Sequence, residues 1–435
     1  MISNLLHKTK GYYFKRTLHT LIPWACQDNV YPHKIIKADG IHLYDYKYNK
    51  IMDFTSGLMF ANLGHNNKYI LKGIQQHMDT GISHISTSFM TGQTEKLSER
   101  LLSLAKVNGK VFYTNGGADA VETAIFIAQD YQNSLRNNKR KILSFNKSFH
   151  GGSTIGASLI SGDYRKQPKS VYFDMEFKSI MNNPTMSDGG ESSLQQINTL
   201  LQKGDVTAII IEGSSGSAGC ILYPSGYLKK LETLCRNTKT VFICDEIMSG
   251  FGRTGAFFAH HKHDIHPDII VTAKGLTGGY VPLGCAIISK KITDIYYDKP
   301  IMHGLTYYAH PLACSVANRC IDLYERDNFK LITDALDKGV QLKSIGSSIT
   351  SDIPFIKEFR NNGLLGCFEF YIKDEEFLKR MSQNLLKNGI YSYRRQNYLF
   401  TAPPLITSCD EIEKGMSLIK KTLIETVISD GSIDH

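Results

Sequence analysis

The segment from Val241 to Lys274 constrains the fold of this chain most, because it holds two short apolar runs that each stop at charged side chains. The first run stops at Asp245 and Glu246, and the second, Asp268 to Thr272, stops just before Lys274. Short β-branched runs bounded by polar residues and glycines predict buried strands. Side chains at the carboxyl ends of strands in an α/β sheet meet at the crevice where ligands bind. The segment therefore predicts an acid and an amine in one crevice.

An acid and a lysine in one crevice suit pyridoxal 5'-phosphate (PLP), because this cofactor needs a lysine at its aldehyde and an acid at its ring nitrogen. Each residue alone has a plainer explanation. A lysine after a strand is usually solvated, and an acidic pair often caps a helix. The rest of the chain must supply the other parts of such a site.

Length and composition limit the class of protein. A chain of 435 residues is too long for one small core, so two or more domains are expected. The 42% hydrophobic and 21% charged content is typical of a soluble globular protein. The net charge of +9 is spread along the chain without a Lys/Arg block, so no nucleic-acid partner is expected. No apolar run approaches the roughly 20 residues that span a membrane, so no membrane partner is expected.

The nine cysteines are scattered and include no C-x-x-C pair, so a reducing compartment and a cytoplasmic location are expected. From Met1 to Gln27 the chain has no acid but three lysines and one arginine, which resembles an organelle transit peptide. A basic N-terminal helix of the folded protein explains the same composition. We prefer the helix, because ordered structure is expected from Ile22–Gln27, and targeting stays open.

A strand, a glycine turn and a helix follow one another after Lys110. Residues 110–114 predict the strand, Gly116 and Gly117 the turn, and an apolar stripe beginning near Ala118 the helix. With a return strand at 141–145, residues 110–146 are predicted to form a βαβ unit. Such a turn exposes free N–H groups and the positive end of the helix dipole, which suits a phosphate. Glycine is also needed there for steric reasons alone, so both interpretations stay open.

Two other patterns point to different sites, and we reject both. Gly250–Gly255 spells G-x-G-x-x-G, but the dinucleotide fingerprint requires a strand directly before it and a helix directly after it. Residues 260–266 contain four histidines with neither a helical i, i+4 frame nor a cysteine partner, so no metal site is expected.

Taken together, these pieces closely resemble the class III, PLP-dependent aminotransferases of fold type I. The matching motifs are TNGGADAVETAI (114–125), SFHGG (148–152), ICDEIMSGFGRTG (243–255), PDIIVTAKG (267–275), GYVPLG (279–284), LTYYAHPLAC (305–314) and TAPPL (401–405). The resemblance implies an α/β fold whose large mixed-sheet domain, residues 61–328, has helices on both faces. A small α+β domain would be formed by the two chain ends, residues 1–60 and 329–435.

The resemblance also implies the cofactor site. Lys274 would form the Schiff base, and Asp245 would partner the pyridine nitrogen. The residues around the cofactor would be Gly116, Gly117 and Ala118 at the phosphate, Phe149 and Ile247 on the two faces of the ring, and His150 beside it. Thr306 would reach the phosphate of the partner subunit, which implies a homodimer with shared active sites.

Within this family the chain is most similar to the branch that transfers an amino group from taurine, β-alanine or another ω-amino acid to pyruvate or 2-oxoglutarate, by a ping-pong mechanism. The pointers include SGDYR (161–165) and YSYRRQNYLFTAPPL (391–405). The substrate would meet Trp24 at the pocket mouth and Arg395 at its acid group. Glu212 could pair with Arg395 and switch the pocket between donor and acceptor.

Three departures from the family pattern affect these expectations. Gly213 follows Glu212 where proline is usual, Tyr308 and Ala309 replace a small Ser-Gly pair, and Arg394 adds a second cation beside Arg395. Two other functions stay open. One is a different PLP reaction on the same scaffold, such as racemisation, decarboxylation or transfer from an α-amino acid. The other is a non-catalytic binding protein that keeps the fold.

Overall fold

The computed structural model describes residues 20–24, 33–154, 157, 161 and 178–430. The basic N-terminal segment and most of the SGDYR motif lie outside these ranges, so the expectations for them stay predictions.

Three short antiparallel strands begin the continuous part of the fold: β1 (Ile35–Asp39), β2 (His42–Asp45) and β3 (Lys50–Asp53). Gly40 has a φ of +54° in the turn between β1 and β2, a conformation that favours glycine. A two-residue strand near the C-terminus, Ile390–Tyr391, pairs parallel with β3. The sheet of this N-terminal hairpin therefore includes a strand from a distant part of the chain.

Ten helices lie in the described residues: α1 (Ser56–Met59), α2 (Lys68–Met78), α3 (Gly92–Ala105), α4 (Gly117–Ser134), α5 (Glu191–Leu201), α6 (Tyr227–Asn237), α7 (Lys290–Thr293), α8 (Pro311–Asp352), α9 (Glu375–Lys387) and α10 (Cys409–Asp430). Short 3-10 turns occur at Ala259–His263, Lys274–Leu276 and Asp294–Tyr296. No helix among the described residues is both long and apolar enough to cross a membrane.

A seven-stranded sheet forms the centre of the molecule. Its strands are β4 (Gly109–Thr114), β5 (Lys141–Phe145), β6 (Lys178–Met181), β7 (Val206–Glu212), β8 (Val241–Asp245), β9 (Ile269–Thr272) and β10 (Gly284–Ser289). Their order in the sheet is β4-β10-β9-β8-β7-β5-β6. Only β10 runs against its neighbours, so the sheet is mixed but mostly parallel.

The predicted βαβ unit needs a correction. The order strand, helix, strand is right, but four strands of the sheet lie between β4 and β5. Local sequence fixes an element and its direction, whereas its neighbours depend on strands that come much later in the chain.

Helices cover both faces of the sheet, as β7 shows. Ala208 and Ile210 pack in the same buried cluster as the apolar stripe of α4. Their neighbours Ile209 and Ile211 point to the other face and pack with α5 and α6. The alternation confirms the predicted α/β fold with a large mixed sheet between two helical layers.

A third sheet lies in the C-terminal region. The two-residue strand Ile390–Tyr391, which pairs with β3, is β13 in chain order. The third sheet contains β11 (Ile356–Asn362), β12 (Leu365–Phe370), β14 (Arg394–Arg395) and β15 (Tyr398–Thr401) in the order β11-β12-β15-β14. Helix α8 leads into this region. It is interrupted by four non-helical residues at Arg326–Phe329 and then continues to Asp352.

Candidate active site

The carboxyl ends of three neighbouring strands bring the predicted acid and amine to one edge of the large sheet. Glu212 ends β7 and Asp245 ends β8, and the two residues are paired in the parallel register. Strand β9 ends at Thr272, two residues before Lys274. The sequence prediction of one crevice at this edge agrees with this arrangement.

A cavity of about 460 Å³ opens at this edge. The predicted site residues that line it are Trp24, Gly117, Ala118, Phe149, His150, Glu212, Asp245, Ile247 and Lys274. Gly116, Thr306 and Arg395 are not among the described residues that line it, although Arg395 contacts the lining residue Ser217. Six segments that are far apart in the chain therefore contribute to one pocket.

Two hydrogen bonds orient the carboxylate of Asp245, which is almost fully buried. Nδ1 of His150 donates to Oδ2 at 2.7 Å, and the backbone N–H of Ile247 donates to Oδ1 at 3.0 Å. Because Nδ1 is the donor, a neutral His150 ring has Nε2 as an acceptor. Nε2 is buried and has no hydrogen-bond partner among the described residues, which is a position for a ligand atom.

Glu246, the second acid of the pair, has a different environment. It is fully buried, and its oxygens accept from the hydroxyl of Ser249 at 2.5 Å and the N–H of Ala259 at 3.0 Å. They also accept from the N–H of His260 at 2.7 Å and from its Nδ1 at 2.9 Å. Burial favours a higher pKa for Glu246, but the interactions with His260 and the hydrogen bond from Ser249 together outweigh burial and lower the pKa. Glu246 therefore fastens the loop that follows β8.

The sequence pattern does not reveal the role of His260, which donates two hydrogen bonds to the carboxylate of Glu246. Atoms of Cys244, Glu246 and His260 lie within 4.8 Å of one another, close enough for a shared metal ion. The oxygens of Glu246 already accept four hydrogen bonds, and the nearby charge and burial raise the pKa of the Cys244 thiol. The hydrogen bonds that Glu246 accepts thus explain why these side chains lie together, and they hold the loop that follows β8.

Lys274 begins a 3-10 turn and has a φ of +44°. A left-handed backbone disfavours any residue with a side chain by about 1–2 kcal/mol. Such strain is kept mainly where the surrounding structure imposes it, often at functional sites. The half-buried Lys274 side chain is placed at the cavity by this turn.

The N-terminus of α4 is open toward the cavity. Within the part of the chain that the structure describes, no side chain caps this helix at Gly116. A Cβ atom on Gly117 would lie 2.9 Å from Cδ1 of Ile247, so glycine permits the close approach of the helix to the cavity wall. Free N–H groups and the helix dipole together favour an anion such as a phosphate.

Aromatic and aliphatic side chains form the walls of the cavity. Phe149 and Ile247 both line it, as expected for residues on the faces of a flat ring. Trp24 meets Phe149 edge to face, with ring centroids 6.1 Å apart at an interplanar angle of 83°. Trp24 is half exposed, which agrees with its predicted position at the pocket mouth.

Glu212 and Arg395 both form hydrogen bonds with the backbone of Ser217, Glu212 with its N–H group and Arg395 with its carbonyl. The Glu212 carboxylate accepts the N–H of Ser217 at 3.0 Å and that of Phe149 at 3.0 Å. The Arg395 guanidinium donates to the carbonyl of Ser217 and, at 3.4 Å, to that of Lys147. Burial raises the pKa of Glu212, although the neighbouring His150 opposes this.

Ser217 itself lines the cavity and was missed in the sequence. It belongs to the loop 213–220, in which every residue is buried. The Ser/Gly composition after a strand end predicts an ordinary surface loop. Only the three-dimensional contacts of Glu212 and Arg395 show that this loop forms a wall of the site.

Two departures from the family pattern have local explanations. The N–H of Gly213 donates to the carbonyl of Asp245 at 2.7 Å, a hydrogen bond that a proline could not make. Arg394 forms an ion pair with Glu375 at 2.5 Å and also donates to the carbonyl of Gln396 at 2.7 Å. Its charge is therefore engaged outside the cavity.

Comparison with known proteins decides the family. The family model described as aminotransferase class-III matches residues 25–423. The chain belongs to the class III aminotransferases. Among relatives of this class III aminotransferase, the adenosylmethionine-8-amino-7-oxononanoate aminotransferase of Helicobacter pylori is 31% identical, over 90% of this chain and 92% of its own. The vanillin aminotransferase of Capsicum chinense is 30% identical, over 92% and 93%.

A solved structure supports the same assignment. The taurine:2-oxoglutarate aminotransferase of Bifidobacterium kashiwanohense, in complex with PLP and glutamate, has a TM-score of 0.87 and 30% identity. The match covers 94% of this chain and 95% of that one. The fold is therefore that of the PLP-dependent transferases of fold type I, and the class III family implies PLP as cofactor.

The cavity of this class III aminotransferase fits PLP in its own chemistry. The open N-terminus of α4 suits a phosphate, the ionisable carboxylate of Asp245 suits a pyridine nitrogen, and Lys274 suits an aldehyde. The buried Nε2 of His150, which lacks a partner in the described part of the chain, requires a polar ligand atom.

Proposed function

We propose that this enzyme is a PLP-dependent transaminase that moves the amino group of an ω-amino acid or amine, such as taurine or β-alanine, to a 2-oxo acid. Pyruvate and 2-oxoglutarate are the expected acceptors, and the mechanism is ping-pong. The observation that carries the proposal is one cavity that holds Asp245, Lys274 and the open end of α4.

The residues that would hold PLP are Lys274, Asp245, His150, Phe149, Ile247 and the backbone at Gly116, Gly117 and Ala118. When bound, PLP supplies an aldehyde that takes up the amino group and a ring that withdraws electrons from the substrate carbon. Asp245 is held by His150 and Ile247, so its negative charge stays at a fixed point and favours a protonated ring nitrogen.

Lys274 carries the proton transfer in this proposal. Its amine takes a proton from the substrate carbon as a general base and returns a proton as a general acid. Phe149, Ile247 and Trp24 exclude water on the sides of the cavity that they line. Exclusion of water strengthens the electrostatic effect of Asp245 on whatever lies between these walls.

The substrate assignment rests on Arg395, Glu212 and Ser217. A guanidinium binds a carboxylate or sulfonate through two parallel N–H groups. An acid group of the substrate would compete with the Ser217 carbonyl for the N–H groups of Arg395. Glu212 accepts the backbone N–H of the same serine. This arrangement supports a pocket that alternates between a donor and an acceptor. The relatives are named for different substrates, so the ω-amino acid remains our proposal.

A homodimer with shared sites follows from the expected role of Thr306. Thr306 is exposed, and it does not belong to the described lining of its own chain's cavity. Large apolar side chains near it are also exposed, including Phe89 at 71%, Met302 at 79% and Tyr307 at 56%. A second copy that covers this surface would explain both observations.

The absorbance spectrum of the PLP-loaded enzyme tests the proposal, recorded before and after addition of taurine, β-alanine, a diamine or an α-amino acid. We expect an ω-amino donor to change the visible band, with stoichiometric transfer of nitrogen to the 2-oxo acid. Loss of carbon dioxide or inversion without nitrogen transfer would indicate another PLP reaction. A spectrum that responds only to the α-amino acid would contradict the proposed donor.

Lys274→Ala tests the catalytic assignment. Turnover should fall to the background rate, because no other described lysine lines the cavity. Lys230→Ala, at an exposed surface pair with Glu191, is the matched control and should keep full activity. Retained transamination by the Lys274 variant would contradict the assignment.

A further inference from the structure

His84 lies between α2 and α3 and makes three contacts with the loop that precedes α8. Its Nε2 donates to the backbone carbonyl of Thr306 at 2.7 Å. Its ring stacks on His310, with centroids 5.3 Å apart at an interplanar angle of 24°. The ring also meets Tyr307 edge to face at 5.4 Å. One side chain therefore contacts the first, second and last residues of the segment 306–310.

The loop that His84 contacts is strained. Ala309 has a φ of +49°, which disfavours a residue with a Cβ atom by about 1–2 kcal/mol. Tyr308, beside it, packs against Phe112 at 5.1 Å and Tyr113 at 6.1 Å between ring centroids. These two positions are where the chain departs from the small Ser-Gly pair. The contacts of His84 lie on both sides of Ala309 and hold the loop in a shape its backbone does not favour.

The hydrogen bond from His84 acts on the backbone of Thr306, and it leaves the hydroxyl of that residue available. Nδ1 of His84 has no hydrogen-bond partner in the described ranges, so the bond to Thr306 is the polar contact that fixes this ring. Fixing a carbonyl fixes the peptide plane, and the direction of the attached side chain follows from it.

We propose that His84 is a positioning residue, which orients Thr306 so that its hydroxyl can reach the phosphate in the partner subunit's site. This inference rests on the proposed function, because the role of Thr306 belongs to that proposal. His84 would contribute to the partner subunit's site through Thr306 and would not contact the cofactor itself.

Two substitutions separate the hydrogen bond from the ring packing. His84→Phe keeps an aromatic ring against His310 and Tyr307 but removes the donor. His84→Gln keeps an N–H donor and removes the ring. Thr306→Val removes the hydroxyl while keeping the shape of the side chain, so it serves as the reference for loss of the phosphate contact.

The experiment titrates each apo-enzyme with PLP and, separately, with pyridoxal, which lacks the phosphate. We expect His84→Phe to weaken PLP binding about 10-fold, the effect of one hydrogen bond to a charged group. Pyridoxal affinity should stay unchanged, and His84→Gln should recover most of the PLP affinity. The double variant of His84→Phe and Thr306→Val should bind PLP no more weakly than Thr306→Val alone, because both changes act on the same hydroxyl.

Thr306→Val, the reference variant, shows whether a negative result contradicts the proposed function or only the inference about His84. If Thr306→Val binds PLP like the unmodified enzyme, the role of Thr306 in the proposed function is wrong. If Thr306→Val weakens binding but His84→Phe does not, only the inference about His84 is wrong. Equal weakening of PLP and pyridoxal by His84→Phe, or dissociation of the dimer in sedimentation, would show that His84 only packs the loop and would overturn the inference.

Mixing subunits gives a second measurement that does not depend on His84→Phe being stable as a homodimer. Chains with His84→Phe are mixed with chains carrying Lys274→Ala. In the mixed dimer one site combines Lys274 of the first chain with His84 and Thr306 of the second. We expect that site to bind PLP with unmodified affinity. If no site in the mixed dimers binds PLP with that affinity, His84 does not act across the interface.

Discussion

Asp245 illustrates how much of a site depends on the orientation of one side chain. Its carboxylate is held between the ring of His150 and the N–H of Ile247, both within 3.0 Å. A carboxylate fixed in this way needs no rearrangement when charge develops on a ligand beside it. The effect requires the negative charge and not merely a polar group of the same size.

Replacing Asp245 by Asn tests this requirement. The amide keeps the shape and can still accept the N–H of Ile247, so we expect the fold and its thermal stability to change little. Without the charge the ring nitrogen would lose its proton, and kcat should fall by at least about 100-fold. Steady-state kinetics measure the loss. Asp294→Asn, at an exposed pair with Lys290, is the control and should leave kcat unchanged. A kcat within a few fold of the unmodified value would refute the role.

At this scale the strand pattern predicts where the acidic pair lies, but only the resemblance to the family chooses Asp245 over Glu246. Asp245 and Glu246 are adjacent at the end of a strand, and their side chains leave the backbone in different directions. In the structure, Glu246 is engaged by a hydrogen bond from His260, a residue of the loop that follows, and this leaves Asp245 as the acid at the cavity. Ser217 escaped prediction for a similar reason, since its partners Glu212 and Arg395 are distant in sequence.

The loop from Glu246 to His263 shows the same dependence at the scale of an element. Its ends are joined by the buried carboxylate of Glu246, which accepts hydrogen bonds from Ser249, Ala259 and His260. Burial alone would raise the pKa of Glu246, but the interactions with His260 and the hydrogen bond from Ser249 together outweigh burial and lower it below its ordinary value of 4.5. The ionised form is thus the one that stabilises the folded loop.

Glu246→Gln should therefore destabilise the enzyme in a pH-dependent way. Because the folded-state pKa is lowered, the stabilisation by Glu246 is present above pH 4.5 and is lost as the pH falls through the folded-state pKa. We expect a loss of roughly 3 kcal/mol at pH 7, and a smaller difference from the unmodified enzyme at pH 4. Urea unfolding at both pH values measures this. Glu376→Gln, at an exposed position, should show no such difference, and a gap that widens toward pH 4 would contradict the lowered pKa.

Elements were easier to predict than their arrangement. The strands that end at Thr114, Phe145 and Asp245 follow from short apolar runs, and their ends agree with the structure. The separation of β4 from β5 could not be predicted, because the four strands between them come later in the chain. The length of α8 is not predictable either, since the sequence gives no reason for helix to resume after Arg326–Phe329.

At the scale of the whole molecule, Arg253 connects parts of the chain that are far apart. The rejected G-x-G-x-x-G pattern contains this residue, and its side chain is completely buried. It donates to the carbonyls of Leu364 at 3.2 Å and Pro403 at 2.5 Å. It also donates to Ser56 at 3.0 Å and to Asn62 at 2.7 Å. The loop after β8 is thus joined to both the N-terminal and the C-terminal regions.

The connection made by Arg253 extends toward the site. The side-chain amide of Asn62 donates to the backbone carbonyl of Phe251 at 3.1 Å. The backbone carbonyl of Asn62 accepts the N–H of Leu405 at 2.8 Å. A Cβ atom on Gly275, the residue after Lys274, would lie 2.7 Å from the amide of Asn62. Burial lowers the pKa of Arg253 to about 10, so the guanidinium is still charged at neutral pH. Its planar group matches four acceptors that a more compact cation could not reach together.

Arg253→Lys keeps the charge but cannot serve all four acceptors, and an ammonium is more strongly hydrated than a guanidinium. We expect this variant to lose about 3 kcal/mol of stability, because buried acceptors are left without donors, and to show a lower Tm in thermal unfolding. Arg140→Lys, at an exposed position where the side chain donates to Asn133, is the control and should shift Tm by no more than about a degree. PLP binding should weaken together with the stability, since the same side chain supports the segment next to Lys274. An Arg253→Lys enzyme with unchanged Tm would show that the regions are held together without this residue.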